Sequence, residues 1–144
     1  MANLDVNELA KVSRVFEALD SAGRRRLLDL SKREHCDAGT VICREGDKGG
    51  EFFVIAKGEV RISCESLDGE KEMARLVQGA FFGEMAVLNG DRRTATCTAV
   101  NEVELVSFPS TAVEQLLTEY PAAREILHRV GVLRSESTLE KLME

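Results

Sequence analysis

The sequence lacks a long hydrophobic run, since no apolar stretch approaches the roughly 18 residues that a membrane-spanning helix requires. No secretory signal is visible in the first residues, because "MANLDVNELAKVSRVF" has no basic start followed by an apolar stretch. We therefore expect a cytoplasmic protein that does not insert into membranes and whose cysteines are reduced.

The sequence also lacks the spacings of cysteine and histidine that are typical of metal sites. The four cysteines, Cys36, Cys43, Cys64 and Cys97, form no C-x-x-C pair, and no histidine stands at a metal-ligand spacing from any of them. The sequence therefore predicts no metal site and no metal cofactor.

Positive charge is in short supply. Acidic residues outnumber basic residues 25 to 19, which gives a net charge of -6 and opposes nonspecific attraction to nucleic acid. The one basic cluster, residues 24–26 with Lys32 and Arg33, is interpreted as the solvated face of a helical stretch that also carries Leu27, Leu28 and Leu30. No nucleic-acid partner is expected.

The length of 144 residues predicts one domain, 1–144. Its first part, 1–33, is predicted to be helical. Apolar residues recur at three- and four-residue steps between Val6 and Leu19, which predicts an amphipathic helix or a helix broken into two short pieces. Asp20 or Ser21 then caps a second helix that runs through Leu30.

Residues 34–109 have a different pattern, with turn-type glycines between short segments rich in Val, Ile, Phe and Thr. The predicted strands are "TVICRE", "EFFVIAKG", "EVRISCES" and "EKEMARLV", followed by two more in "TATCTAVNEVELVSFP". This pattern predicts an α+β fold in which about eight antiparallel strands form a rolled sheet or a small barrel.

Residues 110–144 return to helix. Ser110 is predicted to cap a helix through Leu117, and Pro121 suits the first position of another because its missing N–H is not needed there. In the last helix an apolar stripe contains Ile126, Leu127, Val130 and Leu133. From the residues alone the stripe is ordinary core or a dimer seam.

The stretch "FFGEMAVLNGDRRTAT", residues 81–96, is predicted to interrupt the β-region with a short helix that a glycine opens. Unpaired N–H groups at the start of such a helix attract anions, and Gly83 would let a ligand approach the backbone. Arg93 could pair with phosphate oxygens, and Glu84 could accept a hydrogen bond from a sugar hydroxyl. Alternatively, Glu84 is a helix-start residue and Arg93 is its surface ion-pair partner. The residues alone leave both interpretations open.

The same stretch resembles the phosphate-binding cassette of the cyclic nucleotide-binding domain family, here 82–96. That cassette runs Phe-Gly-Glu, an apolar residue, Ala, two apolar residues, a short loop, then Arg, a small residue, Ala, and Thr or Ser. The stretch "DAGTVICREGDKGGEFFVIAKGEVRI" is similar to the family's first strands, including its Glu-Gly-Asp turn. The resemblance implies a jelly-roll-like antiparallel β-roll of about eight strands, with N-terminal helices, a short cassette helix, and C-terminal hinge and lid helices.

The resemblance also implies a ligand, cyclic AMP or cyclic GMP, and no other cofactor. It assigns the phosphate to Arg93 and the ribose 2′-OH to Glu84. It assigns further contacts to the backbone N–H groups of Gly83, Met85 and Ala86, and to the phosphate and purine side at Thr94 and Ala95. The Thr94 hydroxyl permits cyclic GMP without selecting it, and Arg92 stands where many family members have proline.

In the family, phosphate capture moves the helix from Ser110 to Leu117, and the last helix then covers the purine. The resemblance thus implies an apolar lid formed by Ile126, Leu127, Val130 and Leu133. We expect a ligand-driven conformational switch that acts on a protein partner, on an appended effector or through self-association of the C-terminal helices. Only 24 residues follow Tyr120, so a helix-turn-helix is not expected.

Two alternatives come from other classes of function. An enzyme could use His35, His128 or a cysteine, but nothing in the sequence places a nucleophile and a base at one site. A related interaction module could have lost nucleotide binding, although the combination of Glu84 and Arg93 has no other evident use there.

Overall fold

The computed structural model describes residues 17–83 and 93–129. Most of the helix predicted from Val6 to Leu19 lies outside these residues. Helix α1 (Ser21–Asp29) begins after Asp20, whose side chain accepts a 2.8 Å hydrogen bond from the Gly23 N–H. This N-cap confirms one of the two predicted starts of the helix.

Eight strands lie within the described residues: β1 (Lys32–Cys36), β2 (Val41–Cys43), β3 (Glu51–Lys57), β4 (Glu59–Ser66), β5 (Gly69–Val77), β6 (Phe81–Phe82), β7 (Thr96–Ala99) and β8 (Val103–Pro109). They form two four-stranded antiparallel sheets, with the strand orders β1-β8-β3-β6 and β2-β7-β4-β5. Helix α2 (Ser110–Glu119) follows β8, and residues 121–129 are helical and are called α3. The predicted α+β class and antiparallel β-roll are confirmed.

Strands β1 and β6 are absent from the sequence prediction. Lys32 and Arg33 lie in β1, opposite Ser107 and Val106 of β8, so their predicted helical placement is wrong. β1 is a polar edge strand, mostly exposed, and gives no apolar alternation that could reveal it. β6 has only two residues and depends on long-range pairing with β3.

The predicted cap of the penultimate helix is also wrong. Pro109 occupies the N-cap position of α2 and makes no side-chain cap hydrogen bond. Ser110 is the first helical residue, and its N–H donates a 3.0 Å hydrogen bond to the carbonyl of Gly50. Extension of β8 to Pro109 moves the helix start by one residue, so the serine hydroxyl cannot cap it.

β3 is buried on both faces, which explains its unbroken apolar run. Phe52, Val54 and Ala56 face a core cluster beneath the helices, which also contains Leu27 of α1, Leu116 of α2 and Leu127 of α3. Phe53 and Ile55 face a second cluster that reaches β4 and β7 of the other sheet. The first sheet is therefore packed between helices and the second sheet, and β6 ends at the candidate site.

Candidate functional site

Gly83 follows β6 directly and adopts φ +88°, a conformation that glycine adopts without strain. Its position is fixed because Phe82 pairs with Phe53 of β3. A Cβ atom on Gly83 would lie 2.6 Å from Arg93 Nη1 and 2.9 Å from the carbonyl oxygen of Glu51. The glycine is therefore required both for the backbone turn and for close approach of the guanidinium.

The backbone of Arg93 is held by the turn that connects β2 to β3. The Arg93 N–H donates a 2.7 Å hydrogen bond to the Asp47 carbonyl, and the Arg93 carbonyl accepts a 2.9 Å bond from the Gly46 N–H. Gly46 itself has φ +89°. The Glu-Gly-Asp turn thus positions the arginine, a role that was not predicted from the motif.

The guanidinium of Arg93 lies over an aromatic ring and partly below the surface. Its Cζ atom is 5.5 Å from the centroid of the Phe53 ring, which is within the range of a cation–π contact. Nη1 is buried and has no hydrogen-bond partner among the described residues. A buried guanidinium N–H normally has an acceptor, so this atom is a ready donor for an anion.

The segment after Arg93 is tied to the same turn and to β4. The Thr94 carbonyl accepts a 3.4 Å hydrogen bond from Cys64 Sγ, and Thr96 Oγ1 accepts a 3.0 Å bond from the Glu45 N–H. The Glu45 carboxylate accepts a further 3.0 Å bond from the backbone N–H of Glu65. Burial first, and the nearby Glu45 carboxylate second, raise the pKa of Cys64 to about 11. Cys64 therefore serves here as a neutral thiol donor.

Of the predicted ligand contacts, the described residues bring together Gly83 and Arg93. Thr94 is exposed and Ala95 is half-buried, and both directly follow the arginine. Glu84, Met85 and Ala86 lie outside the described residues, so their predicted roles stay predictions. The roles of Asp47, Phe53 and the Glu51 carbonyl were not predicted from the sequence. The Glu-Gly-Asp turn was a signal for Asp47, whereas Phe53 and the Glu51 carbonyl come to the site only through the fold.

The predicted lid residues divide in a similar way. Leu127 is fully buried in the cluster beneath the helices, and Ile126 is partly buried against that cluster. Val130 and Leu133 lie outside the described residues. The core interpretation of the stripe therefore fits Leu127 in this conformation, while its use as a lid stays a prediction.

The histidines named for the enzymatic alternative lie in two different elements. His35 is on β1, the edge of its sheet opposite β6 and Gly83. Its Nε2 is 3.4 Å from Asp37 Oδ1 and 3.9 Å from Glu102 Oε1, and all three side chains are exposed. His128 is exposed on α3. Neither histidine is among the residues that hold Arg93.

The fold and the residues around Arg93 define a class of protein. It is a β-roll domain in which a buried guanidinium N–H lies beside the turn at Gly83. The family follows from comparison. The family model described as "Cyclic nucleotide-binding domain" matches residues 33–120, more than half of the chain. The chain belongs to the cyclic nucleotide-binding domain family, which confirms the resemblance.

A cyclic nucleotide-gated cation channel from Ictalurus punctatus is 29% identical over 147 residues, which cover 96% of this chain and 21% of the channel. The chain thus spans about a fifth of the length of that curated relative. Within the described residues, no helix is both long enough and apolar enough to span a membrane.

Two solved structures agree with the fold. The structure described as "Sp-2Cl-cAMPS bound to PKAR CBD2" is similar to this chain with a TM-score of 0.80 and 26% identity. The match covers 95% of this chain and 87% of the other. The Thermus thermophilus Catabolite Activator Protein has a TM-score of 0.76 and 27% identity, and covers 89% of this chain and 61% of that one.

Proposed function

We propose that this chain binds a cyclic nucleotide, cyclic AMP or cyclic GMP, with Arg93 as the partner of the cyclic phosphate. The observation that carries the proposal is the buried Arg93 Nη1, which has no acceptor among the described residues. It lies against a glycine with no room for a side chain. A singly charged phosphodiester would supply the missing acceptor and neutralise the charge. The similar solved structure described as "Sp-2Cl-cAMPS bound to PKAR CBD2" supports the choice of ligand.

We further propose that Glu84 accepts from the ribose 2′-OH, that the N–H groups of Gly83, Met85 and Ala86 complete the phosphate cradle, and that Thr94 and Ala95 line the phosphate and purine side. These assignments rest on the family motif. The Thr94 hydroxyl is compatible with either base, so we propose no preference between the two nucleotides. The role is binding rather than catalysis.

A structural connection between the Arg93 site and helix α2 supports a ligand-driven conformational switch. The Gly50 carbonyl accepts from the first N–H of α2, and the carbonyl of the next residue, Glu51, borders Gly83. A movement of Gly83 and Arg93 on ligand binding would therefore reach α2 through the adjacent peptide groups of Gly50 and Glu51. We propose that α2 and α3 carry this movement to a partner protein, an appended effector or a second copy of the chain, and that Val130 and Leu133 join Ile126 and Leu127 as a lid.

We also propose that the domain works in the cytoplasm. The support is chemical: all four cysteines are thiols, as expected in a reducing compartment.

Calorimetric titration of cyclic AMP and cyclic GMP tests the binding. Arg93→Ala should weaken binding of the preferred nucleotide at least thirtyfold, because loss of a desolvated charged contact costs roughly 2–5 kcal/mol. The matched control is Arg75→Ala, which removes an exposed arginine that pairs with Glu59 and Glu72 on β4 and β5.

The control should bind like wild type. If the folded wild-type chain binds neither nucleotide, the proposal is wrong and the interaction-module alternative takes its place. If Arg93→Ala and Arg75→Ala bind equally well, the phosphate partner is a different residue. Size-exclusion chromatography with and without ligand then tests whether the helices mediate self-association.

A further inference from the structure

Two cysteines face each other across neighbouring strands. Cys43 of β2 and Cys97 of β7 are register partners in the second sheet. Directly opposed residues in antiparallel strands have Cα atoms about 4.5–5.5 Å apart, which lies within the usual range for a disulfide. Both side chains are buried, with 8% and 6% exposure. A bond between them would require little movement of the backbone.

We propose that Cys43 and Cys97 are a redox-active pair that forms an intramolecular disulfide between β2 and β7 when a peroxide reaches them. All four cysteines are thiols in this structure, so the structure represents the reduced form. The proposal does not depend on the identity of the ligand.

The surroundings of the pair favour a reactive thiolate. The hydrogen bond from the Cys97 side chain lowers the pKa of the Cys43 thiol, and the positive charge of Arg93 lowers it further. Burial and the Glu51 and Asp47 carboxylates oppose this effect. Cys64 is the contrast, because burial raises its pKa to about 11. Burial likewise raises the pKa of Cys36. Of Cys36, Cys43 and Cys64, Cys43 is therefore the thiol whose surroundings lower its pKa.

Peroxide can reach the pair by local opening of β2. This strand has three residues, lies at the edge of its sheet, and pairs with β7 through an irregular register between Val41 and Cys43. Short edge strands open at lower free energy than the core of a domain. The pair is thus buried in the closed form and accessible in a brief open form.

The chemistry has two balanced steps. The Cys43 thiolate attacks one oxygen of hydrogen peroxide, which gives Cys43 sulfenic acid and hydroxide. The Cys97 sulfur then attacks the sulfenic sulfur, the S–S bond forms, and the hydroxyl leaves as water with the thiol proton. The hydroxide takes up the proton that Cys43 released on ionisation, so two thiols lose two electrons in total and one peroxide is reduced to two waters.

The disulfide would also stabilise the two chain segments that position Arg93 in the candidate site. β2 leads into the turn whose Gly46 and Asp47 backbones hold Arg93, and β7 begins three residues after Arg93. A covalent bond between these strands would fix the two segments that meet at the arginine. The amide protons of Gly46 and Arg93 should then exchange with solvent more slowly in the oxidised protein.

The test treats the purified full chain with hydrogen peroxide, blocks the remaining thiols, and maps disulfides by mass spectrometry without reduction. We expect loss of two hydrogens from the intact mass, one Cys43–Cys97 linked peptide, and full reversal by dithiothreitol. Cys36→Ser and Cys64→Ser are the matched controls and should still form the linked peptide, whereas Cys43→Ser and Cys97→Ser should not.

The wild-type map alone decides the matter if a serine variant fails to fold. Retention of four thiols after treatment would overturn the proposal. So would a linkage that involves Cys36 or Cys64, or conversion of Cys43 to sulfinic acid without a linked peptide.

Discussion

Gly83 and Arg93 occupy one small volume, and each restricts what the other position can hold. The glycine has φ +88° and leaves 2.6 Å between a would-be Cβ atom and Arg93 Nη1. A side chain there would meet two costs, backbone strain and a steric conflict with the guanidinium. The two costs can be separated by experiment because other glycines in the chain carry only the first.

We predict that Gly83→Ala weakens cyclic nucleotide binding at least tenfold, because the methyl group displaces the guanidinium, and that it also costs about 1–3 kcal/mol of stability from strain. Titration calorimetry and urea denaturation measure the two effects. The control is Gly39→Ala, which has φ +89° and no heavy atom within 4 Å of the added Cβ.

Gly39→Ala should lose stability and keep the wild-type affinity. Equal affinities for Gly83→Ala and wild type would show that the guanidinium does not need this space to hold the ligand.

At the scale of elements, α1 and the end of α2 are joined by a small polar network. Tyr120, which follows α2, donates its hydroxyl proton to Asp20 Oδ1 at 2.7 Å, and the same oxygen caps Gly23 of α1. Arg26 of α1 pairs with Glu119 of α2 at 2.8 Å. Tyr120 lies between α2 and α3, so the network holds α1 against the segment that connects these two helices. The proposed switch would require movement of that segment.

This network predicts a pH dependence of stability. The Tyr120 hydrogen bond first, and the Gly23 N–H second, lower the pKa of Asp20 below its usual 3.8. A lowered folded-state pKa means that the ionised carboxylate stabilises the folded protein above the usual pKa. That contribution is lost as the pH falls through the folded-state pKa.

We therefore expect Asp20→Asn to keep the helix cap but to lose this pH dependence, as measured by urea denaturation from neutral pH to below 3.8. In Tyr120→Phe the pKa of Asp20, followed by NMR, should move back up toward its usual value. An unchanged Asp20 titration in Tyr120→Phe would show that the hydroxyl does not govern this carboxylate.

At the scale of the whole molecule, β3 divides the core in two. Phe52 packs beneath the helices, with ring centroids 5.5 Å from Phe81 and 6.1 Å from Phe108. Phe53 faces the other sheet, stacks on Phe82 at 4.9 Å and carries the Arg93 guanidinium. Two adjacent residues of one type therefore support different parts of the molecule.

We predict that Phe52→Leu and Phe53→Leu each lower the free energy of unfolding by on the order of 1–2 kcal/mol, since both remove buried aromatic volume. Only Phe53→Leu should weaken nucleotide binding directly, by roughly two- to thirtyfold, because a cation–π contact contributes about 0.5–2 kcal/mol. Denaturation and titration measure the two quantities on the same samples. Similar losses of affinity in both variants would point to a general loosening of the core.

Local signals in the sequence were enough for much of this architecture. The strand β4 (Glu59–Ser66) coincides with the predicted segment "EVRISCES", and β3 differs from its predicted segment by one residue. The start of α1 follows from a side chain three residues from the N–H that it caps. These features depend on the period of apolar residues and on turn chemistry, both of which act over a few residues.

The sequence by itself determined the β-roll, the family and the prediction that Gly83, Glu84 and Arg93 belong to one site, because spaced motifs and apolar periods record local requirements. Only the tertiary structure decided that Lys32 and Arg33 form an edge strand, that the Asp47 turn holds Arg93, and that Cys43 faces Cys97. The physical reason is that these features arise from contacts between residues far apart in the chain, which no local pattern of side chains encodes.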